Sequence, residues 1–579
     1  MHKSFLLILS FVMVCSLTKA QQIFSTNKYP LVDFRMPLAI MPPALAGSFG
    51  ELRPNHFHSG IDFRTNQREG YPVYAVADGY VSRVRVQNSG FGQALYLNHL
   101  NGYTTVYGHL QRFNPKIAQI VEDIEYAKES FEIDEFPTPE MIPVHKGEII
   151  AYSGNRGSSG GPHLHFEIRD TKTEATINPQ LFGINIPDNI SPVIYSVYVY
   201  RLNGKPFNEF TTKQYLQVAG AAGKYKLANS SPLALTGEVG FGVVTTDKHN
   251  GLSGTNGVYS IELEIDGKTV FTSSLERFLF ENSKAINSHI DYPTFINTRK
   301  SIQKSFVDPG NPLKIYTNLV NAGRITFNDG QLHELKYTIT DSKGNESILP
   351  FSVKSGNQTA PEITPVSATI NPIPVTNFLY NQTNEYTDGT VKVILPKGTL
   401  YNDLIFKYKM VSKSGGNAYS NIHQIQNAYT PLHTGLEIWI KADALPEQYR
   451  SKALIVNTNG SSQGGSYDNG FVKASPRNFG GFYIAVDTVA PNITPLNISE
   501  GKNMRGIVKM SFKLRDNLSG IKSFKGLIDG KWVLMEFDTK TATLWHTFDE
   551  RTSSGKHQLN LTVTDMKDNS KKYSITFYK

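Results

Sequence analysis

The strongest constraint on this chain is a two-residue rhythm. Short runs of alternating apolar and polar residues are repeatedly cut by Gly, Asn, Asp and Pro, the pattern of half-buried strands rather than helices. One run is chemically unusual. A Gly/Ser-rich turn over 154–161 feeds His163, Leu164, His165, Phe166, Glu167 and Ile168. Side chains of a strand alternate between faces, so His163 and His165 point the same way. Two imidazoles on one strand face either both bind a metal, or one binds it while the other handles a proton. The competing reading is a pair of strand histidines without chemistry.

A second stretch favours chemistry. His58-Ser59-Gly60-Ile61-Asp62 offers an imidazole and a carboxylate, both zinc-ligand types. Gly60 between them argues against a helix, and a strand also places positions of even separation on one face. Two neutral imidazoles and one carboxylate fill three zinc positions and leave a fourth for water, the open arrangement of catalytic sites. Tyr107-Gly108-His109-Leu110 adds another candidate imidazole.

Taken together and in order, these stretches resemble the lysostaphin-like, or LytM-type, zinc endopeptidases that cut peptidoglycan peptides. The matching segments are HSGIDF at 58–63, GYPVYAVADGYVSRV at 70–84, GYTTVYGHL at 102–110, KGEIIAYSGNRGSSGGPHLHFEIRD at 146–170, and Asn178-Pro179. The resemblance spans about residues 46–186. It implies that His58, Asp62 and His165 hold zinc and that His163 and His109 are catalytic histidines outside the ligand set. No expected position is lost, unlike in family members that serve only as activators of other hydrolases. One departure is an insertion over about 113–143.

Composition supports an exported, folded, β-rich chain. Of 579 residues, 39% are hydrophobic and 19% charged, which excludes a disordered polypeptide and leads us to expect several domains. The net charge of +8 is spread along the sequence, so no nucleic-acid footprint is present. Residues 1–20 read as a signal peptide: Lys3, an apolar stretch over 5–14, and Thr18-Lys19-Ala20 before the cleavage point. The single cysteine, Cys15, falls inside it, so the mature chain is expected to be cysteine-free, as suits an oxidising compartment. No other stretch is a candidate span. The expected location is the periplasm or cell envelope, or beyond it.

The remaining organisation follows from turn signals and repeats. Residues 21–45 form an extended, proline-bearing lead-in. Asn101-Gly102 predicts a hairpin joining 94–100 to 103–110, with His109 at a strand end and His99 packed structurally. His56 reads as a hydrogen-bonded structural histidine and His145 as a surface one. Within the insertion, Ile117, Ile120, Val121, Ile124 and Ala127 predict an amphipathic helix, followed by an acidic loop over 132–140; it serves either as a surface ornament or as a wall of the cleft. Three β-modules are expected at 187–356, 357–486 and 487–579, introduced by Asp188 to Pro192, Asn357 to Pro361 and Asp487 to Pro491. The first and last look like repeats: Leu-Ser-Gly at 252–254 and 518–520, Ile-Asp-Gly-Lys at 265–268 and 528–531, and alternating tails at 333–341 and 557–565. The first copy carries extra residues at about 275–314. Both resemble bacterial immunoglobulin-like sandwiches without paired cysteines. The middle module matches neither neighbour, and its His423 and His433 read as structural.

The expected fold is therefore all-β dominated: a LytM-type β-sheet peptidase domain with a helical insertion, then three β-sandwich-like modules. The expected activity is zinc-dependent hydrolysis of peptide bonds in peptidoglycan stems or cross-links. The alternative is a catalytically silent wall-binding protein or activator. Partners are peptidoglycan peptides and, for the modules, a cell-surface or wall component.

Overall fold

The computed structural model describes residues 28–251, 254–357, 376–413 and 415–579; the signal-peptide reading and Cys15 lie outside them. Among the described residues no helix is long and apolar enough to cross a membrane.

The N-terminal part is built on one antiparallel sheet. Its main strands are β1 (Leu45–Gly47), β2 (Ile61–Arg64), β3 (Gly79–Val86), β4 (Gln93–His99), β5 (Tyr103–Leu110), β6 (Ile133–Glu135), β7 (His163–Asp170) and β8 (Ala175–Ile177). Spatial order is β1-β2-β7-β5-β4-β3-β6, with β8 paired to β7. The Asn101-Gly102 hairpin forms as expected between β4 and β5. A small second sheet joins Pro72–Tyr74, Ile149–Tyr152 and Arg112–Phe113.

β7 lies centrally, between β2 and β5, and is covered on both faces. Leu164, Phe166 and Ile168 enter the apolar core with Phe57, Phe63, Leu95 and Tyr107; each such side chain contributes roughly 1.5–3 kcal/mol by leaving water. The opposite face carries His165, Glu167 and Arg169, also buried. Buried polar groups on that scale persist only when mutually satisfied, so β7 concentrates the fold's chemistry.

Helix α1 (Pro115–Lys128) occupies the insertion. Asn114 caps it by accepting from the Ile117 amide, Pro115 stands where no amide hydrogen is needed, and Ile117 and Val121 face the core. The acidic loop expected at 132–140 is partly a strand instead. β6 pairs with β3, because Ile133 is buried and Asp134 meets Arg83 at 2.6 Å. Cross-strand opposite charges turn an acidic segment into a sheet edge.

The extra residues of the first module serve the N-terminal sheet. β9 (Arg277–Leu279) pairs with β8, and Phe278 packs against Phe49 and Phe57 with ring centroids 5.0 and 5.6 Å away. The rest of that module folds around Val197, Phe241, Leu263, Tyr337 and Phe351. Its relation to the last module holds at atomic level. His333 pairs with Asp266 and His557 with Asp529, each at 2.7 Å, and the same aspartates accept from the Glu334 and Gln558 amides. The middle segment forms sheets of five, four and two strands, the last segment sheets of four and five. His423 and His433 bond the hydroxyls of Tyr408 and Tyr401.

Candidate metal centre

Five residues singled out in the sequence converge on one point. β7 supplies His163 and His165, β2 supplies Asp62, the turn before β2 supplies His58, and β5 carries His109 one residue before its end. In register, His165 stands opposite Asp62 on one side and Gly108 on the other. Gly60 permits the approach: a Cβ there would lie 2.3 Å from the Phe166 carbonyl oxygen. His58 is not on the same strand as Asp62; a turn rather than strand periodicity brings it in.

The inner triangle is tight. His165 Nδ1 lies 2.8 Å from Asp62 Oδ1 and 3.1 Å from His58 Nε2, and His58 Nε2 lies 3.0 Å from Asp62 Oδ1. The outer ring nitrogens are engaged elsewhere. His58 Nδ1 faces the Ser48 carbonyl at 2.8 Å, and His165 Nε2 faces Glu167 Oε1 at 2.9 Å. Each neutral ring therefore donates outward and turns a lone pair inward. Two lone pairs and a carboxylate oxygen then confront one another with no hydrogen between them. Only a cation relieves that arrangement, either a proton or a metal ion. A tetrahedral ion with ligands at about 2.0–2.1 Å sets its ligand atoms roughly 3.3 Å apart, so the donor set and spacing fit zinc.

The electrostatics agree. Burial alone would raise the Asp62 carboxyl, but His58, His163 and His165 hold it well below the usual carboxylate range. Burial disfavours charge on His165, yet Asp62 and Glu167 outweigh it and lift the ring to about 9; without metal a proton stands where the ion would sit. His58 is pushed down by burial. Arg53 braces the other Asp62 oxygen at 2.6 Å.

His163 and His109 stand outside the triangle. His163 Nδ1 is held by the Gly161 carbonyl at 2.8 Å, and its Nε2 lies 3.4 Å from Asp62 Oδ1. His109 Nδ1 is held by the Arg156 carbonyl at 2.8 Å, and its ring centroid is 4.8 Å from that of His163. Its backbone is left-handed, φ 58°, an uncommon state for a residue with a side chain and one that clusters at functional sites. Burial, then His165 and His163, push His109 down to about 3, so the ring is neutral.

Loop 154–161, which orients both rings through its carbonyls, is gripped by the last module. Lys540 donates to the Asn155 and Ser159 carbonyls. Arg156 pairs with Glu536 at 2.9 Å and lies 4.9 Å from the Trp545 ring. The insertion helix meets the same module through Tyr126, edge-on to Trp532 at 5.0 Å, with Glu129 paired to Lys525.

His99, His56 and His145 stay apart: His99 bonds the Asp78 carbonyl and Thr105, His56 bonds the Pro54 carbonyl, and His145 is exposed. Sequence reasoning missed Glu167, although its even spacing from His165 signals a shared face. It also missed Arg53, for which no local signal exists. A cavity of about 610 Å³, lined by Phe207, Phe210, Tyr292 and Tyr401 among others, lies away from these histidines.

The fold and site thus define an antiparallel-sheet domain with a His-Asp-His centre flanked by two further histidines. Residues 56–125 match peptidase family M23, and residues 375–487 match a Zu5-like domain. An uncharacterized metalloprotease of Haemophilus influenzae is 40% identical over 118 residues, 20% of this chain and 19% of its own. A DD-carboxypeptidase/endopeptidase of Neisseria meningitidis is 33% identical over 112 residues, 19% and 20% of the two chains. The catalytic domain of lysostaphin from Staphylococcus simulans is 23% identical, with 25% of this chain and 93% of that one covered and a TM-score of 0.19. The chain carries a LytM-type domain of peptidase family M23. It spans about a fifth of the length of the curated relatives it matches.

Proposed function

We propose that the protein is a secreted zinc metalloendopeptidase that hydrolyses peptide bonds in peptidoglycan stems or cross-links, with a peptidase domain over 46–186 and auxiliary β-modules at 187–356, 357–486 and 487–579. The carrying observation is the triangle of His58, Asp62 and His165, whose inward atoms lie 2.8–3.1 Å apart with their outer nitrogens already committed. Relatives named as peptidoglycan DD-endopeptidase and glycyl-glycine endopeptidase support the substrate class. His58, Asp62 and His165 would hold the ion; zinc, when bound, supplies Lewis acidity and a nucleophile at neutral pH. His163, fixed through Nδ1, presents Nε2 to the centre and takes the proton from the attacking water. His109, neutral and with its Nδ1–H committed to the Arg156 carbonyl, turns its Nε2 lone pair to the centre and orients that water by accepting from it, donating to the developing oxyanion only after Nε2 has taken up a proton; the roles of the two rings are interchangeable on this geometry.

The test is zinc content together with mass analysis of fragments released from purified peptidoglycan. Wild type is expected to hold one zinc and release peptide fragments. His165→Ala should lose both, whereas His163→Ala should keep zinc and lose roughly 10²–10⁴ in rate. Zinc retention without any fragment release by wild type would leave the wall-binding or activator reading instead.

A further inference from the structure

The two repeated modules carry a second set of acidic residues in matching places. Asp188 and Asp487 each stand five positions ahead of their module's first strand, Val193–Arg201 and Asn492–Pro495. Asp247 and Asp516 each follow a strand paired with that first one, Gly237–Thr246 and Lys509–Arg515. Asp341 and Asp565 end the alternating tails. The last pair opens an identical turn: Oδ1 accepts from the amides of Lys343 and Asn345, or Lys567 and Asn569, and Oδ2 accepts from the Asn side chain.

In both modules these positions converge. Potential ligand atoms of Asp188, Asp247 and His249 lie within 4.8 Å of one another, as do those of Asp487, Asp516 and Asp565. Asp341, the counterpart of Asp565, stands beside the first group: its charge acts on both Asp247 and Asp188. The carboxylates of Asp188 and Asp247 are 1% and 2% exposed. Yet among the described residues Asp188 Oδ2, Asp247 Oδ1 and His249 Nδ1 have no hydrogen-bond partner, and neither has Asp516 Oδ1 in the second group. A small cavity of about 10 Å³ lies beside Asp247 and His249, lined from the peptidase side by Ser48, Phe49, Asn178 and Gln180 and not by Asp188 or Asp341.

Like charges gathered out of water repel, and orphaned buried oxygens carry a desolvation cost. Burial, then Asp341 and Asp188, drive Asp247 up to about 8. The nearby lysines act on these aspartates but, among the described residues, form no ion pair with them: Lys343 Nζ bonds Asn185 Oδ1 at 2.8 Å, and Lys567 Nζ bonds the Gly465 carbonyl at 2.6 Å. Both groups sit at joints. The first faces the peptidase domain. The second faces the middle module, where the Asp487 amide bonds the Lys452 carbonyl and Lys452 Nζ bonds the Lys567 carbonyl.

We propose that each joint binds one hard divalent cation of the calcium class, through Asp188, Asp247 and Asp341 in the first and Asp487, Asp516 and Asp565 in the second, and that the ion fixes the angle between the module and the domain before it. Three carboxylates without sulfur, supplemented by backbone carbonyls and water, are calcium-type ligands. His249, buried with Nε2 3.7 Å from both Asp188 and Asp247, belongs to the first group and has no counterpart in the second.

The experiment is equilibrium binding of Ca²⁺ to the chelator-stripped full-length mature protein, with Mg²⁺ and Zn²⁺ in parallel. Two equivalents of Ca²⁺ are expected, with dissociation constants on the order of 10⁻⁴–10⁻³ M as for extracellular modules. Asp247→Asn and Asp516→Asn should each remove one equivalent and their combination both, while His165→Ala should keep both. Ca²⁺ should also slow proteolysis at residues near 187 and 487. Absence of Ca²⁺ binding by wild type up to about 10 mM, or two equivalents surviving in the double variant, overturns the proposal. So does uptake of Zn²⁺ at the first joint in place of Ca²⁺. Should the variants misfold by circular dichroism, the wild-type stoichiometry alone decides.

Discussion

Replacing Glu167 by Gln tests how the centre is held. Glu167 is fully buried and serves three donors at once: His165 Nε2 at 2.9 Å and the Ser59 hydroxyl on Oε1, and the Arg169 guanidinium at 2.6 Å on Oε2. Glutamine keeps the volume but offers one acceptor and two donors. With its oxygen toward His165, its amino group faces the guanidinium. With its oxygen toward Arg169, its amino group forces His165 to carry its proton on Nδ1, inside the ligand triangle, where a metal needs a lone pair. Removing one partner of a buried ion pair costs about 3–5 kcal/mol, and Glu174, 3.2 Å from Arg169 but largely exposed, offsets only part of it. Substitution of such supporting groups weakens metal binding about 10–100-fold. The assay is zinc competition against a chromophoric chelator, paired with thermal melts of the stripped protein. We expect a loss of at least tenfold in zinc affinity together with a lowered melting temperature. Zinc affinity within about threefold of wild type, in a protein that melts normally, would refute the assignment of Glu167 as the group that sets the His165 tautomer.

Further outcomes follow from the contacts around the site. Lys540→Ala, alone or with Glu536→Gln, frees loop 154–161 from the last module; kcat should fall several-fold while zinc content stays at one, because the loop positions His109 and His163 but supplies no ligand. An unchanged kcat on a soluble peptide would show that the module's grip does not matter. Glu125 on α1 is pushed up from 4.5 to about 8 by burial, then by Glu536 and Glu122. Between those values the unfolded carboxyl has lost its proton and the folded one has kept it, so stability should fall as pH rises from about 4.5 to about 8, by at most ~1.4 kcal/mol per pH unit, and level off above. Glu125→Gln should flatten that slope in a series of melts against pH; an equal slope in both proteins would remove Glu125 as its source. Phe278→Ala, which empties the space against Phe49 and Phe57, should cost about 3–5 kcal/mol in denaturant unfolding and lower peptidase stability although it lies in the first module; a loss confined to a separate module transition would contradict the shared core.

Much of this protein was legible in its sequence for local reasons. Alternation is a property of neighbouring residues, so strand β7, the hairpin at Asn101-Gly102 and helix α1 could be read directly. The shared face of His163 and His165 follows from the same two-residue period. The repeat of Asp266 with Asp529 and His333 with His557 was visible because the same short-range packing recurs in both copies.

Other features required the tertiary fold, because they depend on which distant segments meet. His58 reaches Asp62 through a turn and not a strand period. Arg53 joins them with no pattern to announce it. The acidic loop became β6 only because Arg83 and Arg85 wait on the neighbouring strand, and the added residues of the first module became β9 because an open edge at β8 accepts them. Likewise, six aspartates scattered from 188 to 565 become two compact groups only when strand ends and module joints bring them together. Sequence fixes each segment's periodicity through covalent neighbours; the pairing of segments is decided by burial and charge across the finished structure.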